Sequence, residues 1–158
     1  MAQALAQCPV PIATLTPHVP TYIGATDASK EGMGGFWLPA ILTPDTQPCI
    51  WRTAFPSDIT NHLVSQDNKA GTINNSKLKL AAVITGQATL LQHTKYLHYQ
   101  HILLGTDNTP THSWITSGSV TTSKPPVFLL RLLATTCQNW NASLSTVTVP
   151  GSTHRLAD

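Results

Sequence analysis

The stretch "ATDASKEGMGGFWLP", residues 25–39, decides how this chain is read. It completes "TYIGATDAS", an apolar and β-branched run that reads as a strand ending at Asp27. A Gly-rich turn follows, and "GMGGFWLP" reads as a second strand. "PCIWRTAF", residues 48–55, gives a third, with Ile50 and Trp51 as its apolar content. Three strands joined by short polar turns predict an antiparallel meander.

Working outward, residues 56–73 form a connection with one short helical turn. "NNSKLKLAAVI", residues 74–84, opens the first clear helix, over 75–92. Asn-Asn-Ser suits a helix start, and Leu78, Ala82 and Leu90 recur at helical spacing. "HILLGTD" reads as a buried strand of the parallel kind, ending at Asp107. "PTHSWITSG" reads as a short helix that tolerates Pro110 in its first turn. A loop, "SGSVTTSKPP", leads to the apolar helix "PVFLLRLLATTCQNW", and "SLSTVTVPG" alternates as a last strand. The order β-β-β-α-β-α-α-β predicts an α/β domain: a mixed sheet with helices on its faces. Residues 1–20 carry Pro9, Pro11, Pro17 and Pro20 and read as an extended lead-in, leaving 21–158 as one domain.

Composition narrows the function. Of 158 residues only 10% are charged, against about a quarter in typical domains, and the formal net charge is +2. That is no basic footprint of a dedicated nucleic-acid binder, so any such contact must be local. Cys8, Cys49 and Cys137 include no CxxC pair, which argues against a zinc site and suits incidental thiols in a reducing compartment. No run approaches roughly 18 apolar residues, so no membrane span and no membrane partner is expected, and the location is read as intracellular, cytoplasmic or nuclear.

The seven acidic residues are Asp27, Glu31, Asp45, Asp58, Asp67, Asp107 and Asp158. Asp27 and Asp107 end predicted strands, and Asp158 follows the last strand by a short turn. Neighbouring strands lie about 4.8 Å apart, so strand-end carboxylates can converge on a hard cation such as Mg²⁺ or Mn²⁺. Two such ions can activate water for phosphodiester cleavage. Each Asp singly, in "TDAS" or "TDNT", also suits a turn or a helix N-cap. Residue types and spacing reach no further than a mixed α/β domain.

Four segments, in order, carry a resemblance. "ATDASKEGMGGFWLP", "INNSKLKLAAV", "LLGTDNTPTHSW" and "SGSVTTSKPPVFLLRLLA" with "VPGSTHRLAD" resemble the ribonuclease H domain of retroelement reverse transcriptase polyproteins, of gypsy or DIRS type. The resemblance covers about residues 20–158. It implies a ribonuclease H-like fold with a mixed five-stranded sheet and a metal-dependent endoribonuclease that hydrolyses the RNA strand of RNA–DNA hybrids with two Mg²⁺ or Mn²⁺ ions. It also implies a reverse transcriptase polymerase domain in the same polyprotein. Asp27, Asp107 and Asp158 match three catalytic, metal-holding acids. The second acid of the family's order, a helix Glu that ligates metal and touches the RNA 2′-hydroxyl, falls on Lys79.

A lysine has three donors and no acceptor. Placed there it should repel a divalent ion and pair with Asp27 or Asp107, so this copy is expected to be impaired. The alternative is a non-catalytic module that supports a polymerase or holds nucleic acid weakly. Two further departures point the same way: His154 replaces the family's Asn, and the resemblance implies a helix after Asp158 that this sequence does not contain. An integrase-like relative would need a late Glu, and Glu31 is the only glutamate. Lys124 and Arg131 flank the loop and helix after Asp107 and are the candidate substrate-binding cations. His93, His98 and His101 read as solvated rather than metal-ligating. Trp37, Trp51, Trp114 and Trp140 read mostly as packing residues, although stacking on bases is open to them.

Overall fold

The structure, a computed structural model, describes residues 19–94, 99–120 and 124–150, and only the backbone of Lys124 and Pro125. The expected lead-in, up to residue 18, and the match to Asp158 therefore lie outside the described residues.

A five-stranded sheet organises the chain. Strands β1 (Tyr22–Ala28), β2 (Gly32–Pro39) and β3 (Cys49–Ala54) form the meander. Strands β4 (Gln100–Thr106) and β5 (Ala142–Thr148) complete the sheet in the order β3-β2-β1-β4-β5. The β1–β2 and β2–β3 pairings are antiparallel, and β1–β4 and β4–β5 are parallel. The helices are α1 (Ser57–Thr60), α2 (Asn75–His93), α3 (Thr109–Ser117) and α4 (Lys124–Asn139). Mixed sheet and element order agree with the sequence reading, and α4 begins two residues before the expected proline run ends, with Pro125 and Pro126 in its first turn. Proline is tolerated there because the first backbone N–H groups of a helix have no partner within it.

Helix α2 begins where Asn74 can cap it: its side chain accepts a hydrogen bond from the backbone N–H of Lys77 at 3.1 Å. The helix then buries Leu78, Leu80, Ala82, Val83, Ile84, Leu90 and Leu91. That is wider than a single stripe, because α2 packs on the sheet with one side and on α4 with another. The main core joins Val83, Ile84 and Leu90 of α2 to Trp37, Ile102 and Leu104 of the sheet and Leu133 of α4. Burying each large apolar side chain contributes about 1.5–3 kcal/mol. A smaller cluster of Ala28, Leu63, Leu78 and Ala82 seats the 56–74 connection against α2.

Trp37 fixes the height of α2 over the sheet. It is 1% exposed, and its indole Nε1 donates to the Gly86 carbonyl oxygen at 2.8 Å. The approach demands small residues at two points. A Cβ on Gly24 would run into the Phe36 carbonyl and the Trp37 ring. A Cβ on Gly86 would sit 2.7 Å from Thr26 Cγ2 and 2.8 Å from Trp51 Cζ2.

Gly86 therefore gives a test in which two effects oppose. In an exposed helix interior, Gly→Ala stabilises by about 1 kcal/mol. Overpacking a filled core costs about 1–3 kcal/mol. Gly86→Ala is expected to lower the urea midpoint with an unchanged slope. A raised midpoint would contradict this packing.

Candidate active site

Parallel pairing brings two carboxylates together. β1 and β4 run side by side with Ala25 opposite Gly105. Two residues further along each, on the same side by the two-residue repeat of a strand, stand Asp27 and Asp107. Asp107 lies immediately after β4, and the competing role of helix cap falls to its neighbour. Asn108 Oδ1 accepts from the Thr111 backbone N–H at 2.9 Å and from Thr111 Oγ1 at 2.8 Å. Asp107 is thereby free of capping duty.

Lys79 approaches from the second turn of α2. Its Nζ donates to Asp107 Oδ1 at 2.6 Å and lies 2.8 Å from Asp27 Oδ1. The lysine side chain is 9% exposed, against 15% for Asp27 and 24% for Asp107. The two contacts differ in kind. Asp107 receives an aligned hydrogen bond, whereas buried Asp27 Oδ1 has no aligned donor and is compensated by charge. Burial pulls the lysine's proton affinity down, but the hydrogen bond to Asp107, the close contact with Asp27 and the negative charge of both aspartates outweigh it, so its pKa stands above the ordinary lysine value.

A polar network holds the two helix starts against this pair. Asn108 Nδ2 donates to Ser76 Oγ at 3.3 Å, and Thr111 Oγ1 lies 3.3 Å from the Ser76 carbonyl oxygen. Thr111 is fully buried. These residues were not singled out from sequence. The signal available was their type, Asn and Ser at helix starts, which is shared by many turns that hold nothing. Clefts of about 390 Å³ and 400 Å³ open beside the pair. The first is bounded by Gly34, Trp51 and Arg52, the second by Ser29, Glu31 and Asn75. Glu31 is exposed and turned to its own hairpin, where Ser29 Oγ donates to it at 2.7 Å and holds its carboxyl below the usual range.

The remaining candidates fall elsewhere. Arg131 is exposed on α4 and borders an apolar cavity with Ile115, Leu130 and Cys137, not the clefts beside Lys79. Lys124 starts α4, and its side chain lies outside the description, as does Asp158. Trp37 and Trp51 pack in the core, whereas Trp140 is 45% exposed.

No family model matches the sequence, and no curated protein matches it. Solved structures do. Ribonuclease H1 from the halophilic archaeon Halobacterium salinarum NRC-1 superposes with a TM-score of 0.58 at 14% identity, over 87% of this chain and 91% of that one. The fold is that of ribonuclease H. The compost-derived LC11 ribonuclease H1 in complex with an RNA/DNA hybrid gives 0.56 at 11% identity, over 84% and 88% of the two chains. The foamy viral protease-reverse transcriptase in complex with an RNA/DNA hybrid gives 0.53 at 13%, covering 90% of this chain and 20% of that one.

A ribonuclease H fold raises the question of divalent ions, and the described residues do not fit one. Among the described residues, no three or more His, Cys, Asp or Glu gather as a metal site. The two carboxylates that do meet already share an ammonium. A second cation about 4 Å from that ammonium would be repelled by about 4 kcal/mol per unit of its charge at an effective dielectric near 20.

The ion pair carries a pH signature. Because the folded-state pKa of Lys79 is raised, its contribution to stability is complete below the unfolded lysine value, about 10.4, and is lost as pH rises through the folded value. Lys79→Met should destabilise the fold at neutral pH by about 3 kcal/mol, the low end for breaking a buried pair, since the aspartates keep some solvent contact. In melts of both proteins the gap should hold constant from pH 7 to about pH 10 and narrow above it. A gap already closing between about pH 7 and 9 would contradict the raised lysine.

Proposed function

We propose that this chain is a ribonuclease H-like domain, residues 21–158, of a retroelement reverse transcriptase polyprotein. It engages RNA–DNA hybrids beside a polymerase domain, and Lys79 impairs hydrolysis. Support for the hybrid comes from the fold and from the two similar proteins whose structures hold one, LC11 ribonuclease H1 and the foamy viral enzyme. Support for the polymerase linkage comes from the second of these, a protease-reverse transcriptase. Among the described residues no helix is long and apolar enough to cross a membrane.

The observation that carries the impairment is the ammonium between Asp27 and Asp107. An Oδ1 of each carboxylate is committed to it. Neither oxygen is free to orient a water or take a proton from one, and the Mg²⁺ or Mn²⁺ that the family employs meets a fixed positive charge. The same pair favours a second reading, a non-catalytic module that supports the polymerase or holds nucleic acid weakly.

Gel-resolved cleavage of labelled RNA in a hybrid, with single-stranded RNA as control, tests the proposal beside fluorescence anisotropy of hybrid binding. The chain should bind hybrid in preference to single strands and leave the RNA intact. Lys79→Glu should raise hybrid-specific cleavage by at least about tenfold, equivalent to about 1.4 kcal/mol of barrier. Robust cleavage by the unaltered chain would overturn the impairment. Binding without preference for hybrid would favour the supporting module.

A further inference from the structure

The ion pair has a positive role as well as an inhibitory one. Asp27 and Asp107 are two carboxylates at one level of adjacent parallel strands, both mostly buried. Left uncompensated they would repel each other and lose hydration on folding. In an oxygen-rich site that compensation is supplied by a hard cation, Mg²⁺ at 2.0–2.1 Å or Ca²⁺ at 2.3–2.6 Å from its ligands. Here Nζ stands 2.6 Å and 2.8 Å from the two oxygens, so the space a bridging ion needs is already filled by a group covalently tied to α2. That tether has little slack. The Asn74 cap orders the start of α2, the Trp37–Gly86 bond holds the helix to β2, and the Ser76–Asn108–Thr111 network holds its first turn to the start of α3. The lysine side chain is 9% exposed.

We infer that the Lys79 ammonium is the built-in cation of this site, so that the folded domain neither binds nor requires a divalent ion there. The inference rests on the same site as the proposed function but makes a separate claim: hybrid binding by this chain is independent of divalent ions. Removing the ammonium should open a site that a hard divalent cation can enter, weakly with two carboxylates and more firmly with three.

Manganese is the probe, because its free and bound forms are resolved by electron paramagnetic resonance. With millimolar Mn²⁺, the unaltered chain should leave the spectrum that of the free ion, and its melting temperature should be the same in Mn²⁺ and in chelator. Lys79→Glu should bind Mn²⁺ and melt higher with it than in chelator. Lys79→Ala, which places no new charge, should bind more weakly and keeps the test open if the glutamate variant fails to fold. Stoichiometric Mn²⁺ binding by the unaltered chain, lost in Asp107→Asn, would overturn the inference. So would silence of the folded Lys79→Ala and Lys79→Glu variants, since the ammonium would then not be what excludes the ion. Hybrid anisotropy in chelator separates the two claims. Binding that is strong with Mn²⁺ and at least about tenfold weaker without it would sink divalent independence. No hybrid binding in either condition would sink the proposed function while the manganese result still decides the inference.

Discussion

One ammonium shared by two carboxylates ties together the three elements on which the site depends. Asp27 belongs to β1, Asp107 follows β4, and Lys79 rides on α2. The parallel register sets the spacing of the two acids, and the helix start sets the reach of the lysine. A contact of this kind is sensitive to small displacements in any of the three. The surrounding packing suppresses such displacements: Trp37 holds α2 to the sheet through Gly86, and Ser76, Asn108 and Thr111 hold its first turn to the start of α3. The ion pair is thus the centre of a rigid junction.

The balance of charge at this junction follows from its three groups. Two acids and one lysine leave a single net negative charge in a mostly buried place. Burying a paired charge is tolerable, whereas removing one partner leaves an uncompensated ion, which is why loss of the lysine costs more than the pair itself contributes. Ribonuclease H1 from Halobacterium salinarum shares the fold.

Much of the fold was legible because its signals are local. Alternation in "SLSTVTVPG", the Asn74 start and the apolar run "HILLGT" each mark an element without help from the rest of the chain. The buried breadth of α2 was less legible, since Leu80, Val83 and Leu91 lie off the stripe of Leu78, Ala82 and Leu90, and Val83 and Leu91 join a core that takes in the sheet and Leu133 of α4. Residues 56–73 read only as a connection with one short helical turn because Ile59, Leu63 and Ile73 follow no period, yet they pack with Leu78 and Ala82 of α2. The strand ends hinted that Asp27 and Asp107 could converge, but the place of Lys79 beside them could not be read from spacing: 52 and 28 residues of sequence separate the lysine from the first acid and the last from the lysine, and only a resemblance brought it there. That one lysine serves both acids, and that Asn108 rather than Asp107 caps α3, are facts of three-dimensional geometry.

Nitrogen-15 NMR of the lysine side chains measures the central contact directly. If Lys79 is locked between two carboxylates, its ammonium should give a resolved signal whose protons exchange slowly with water, with through-hydrogen-bond coupling to the Asp107 carboxyl carbon. Its signal should also move when either Asp27 or Asp107 is changed to Asn. A Lys79 signal averaged with those of Lys30 and Lys69, which stand exposed, would contradict the account.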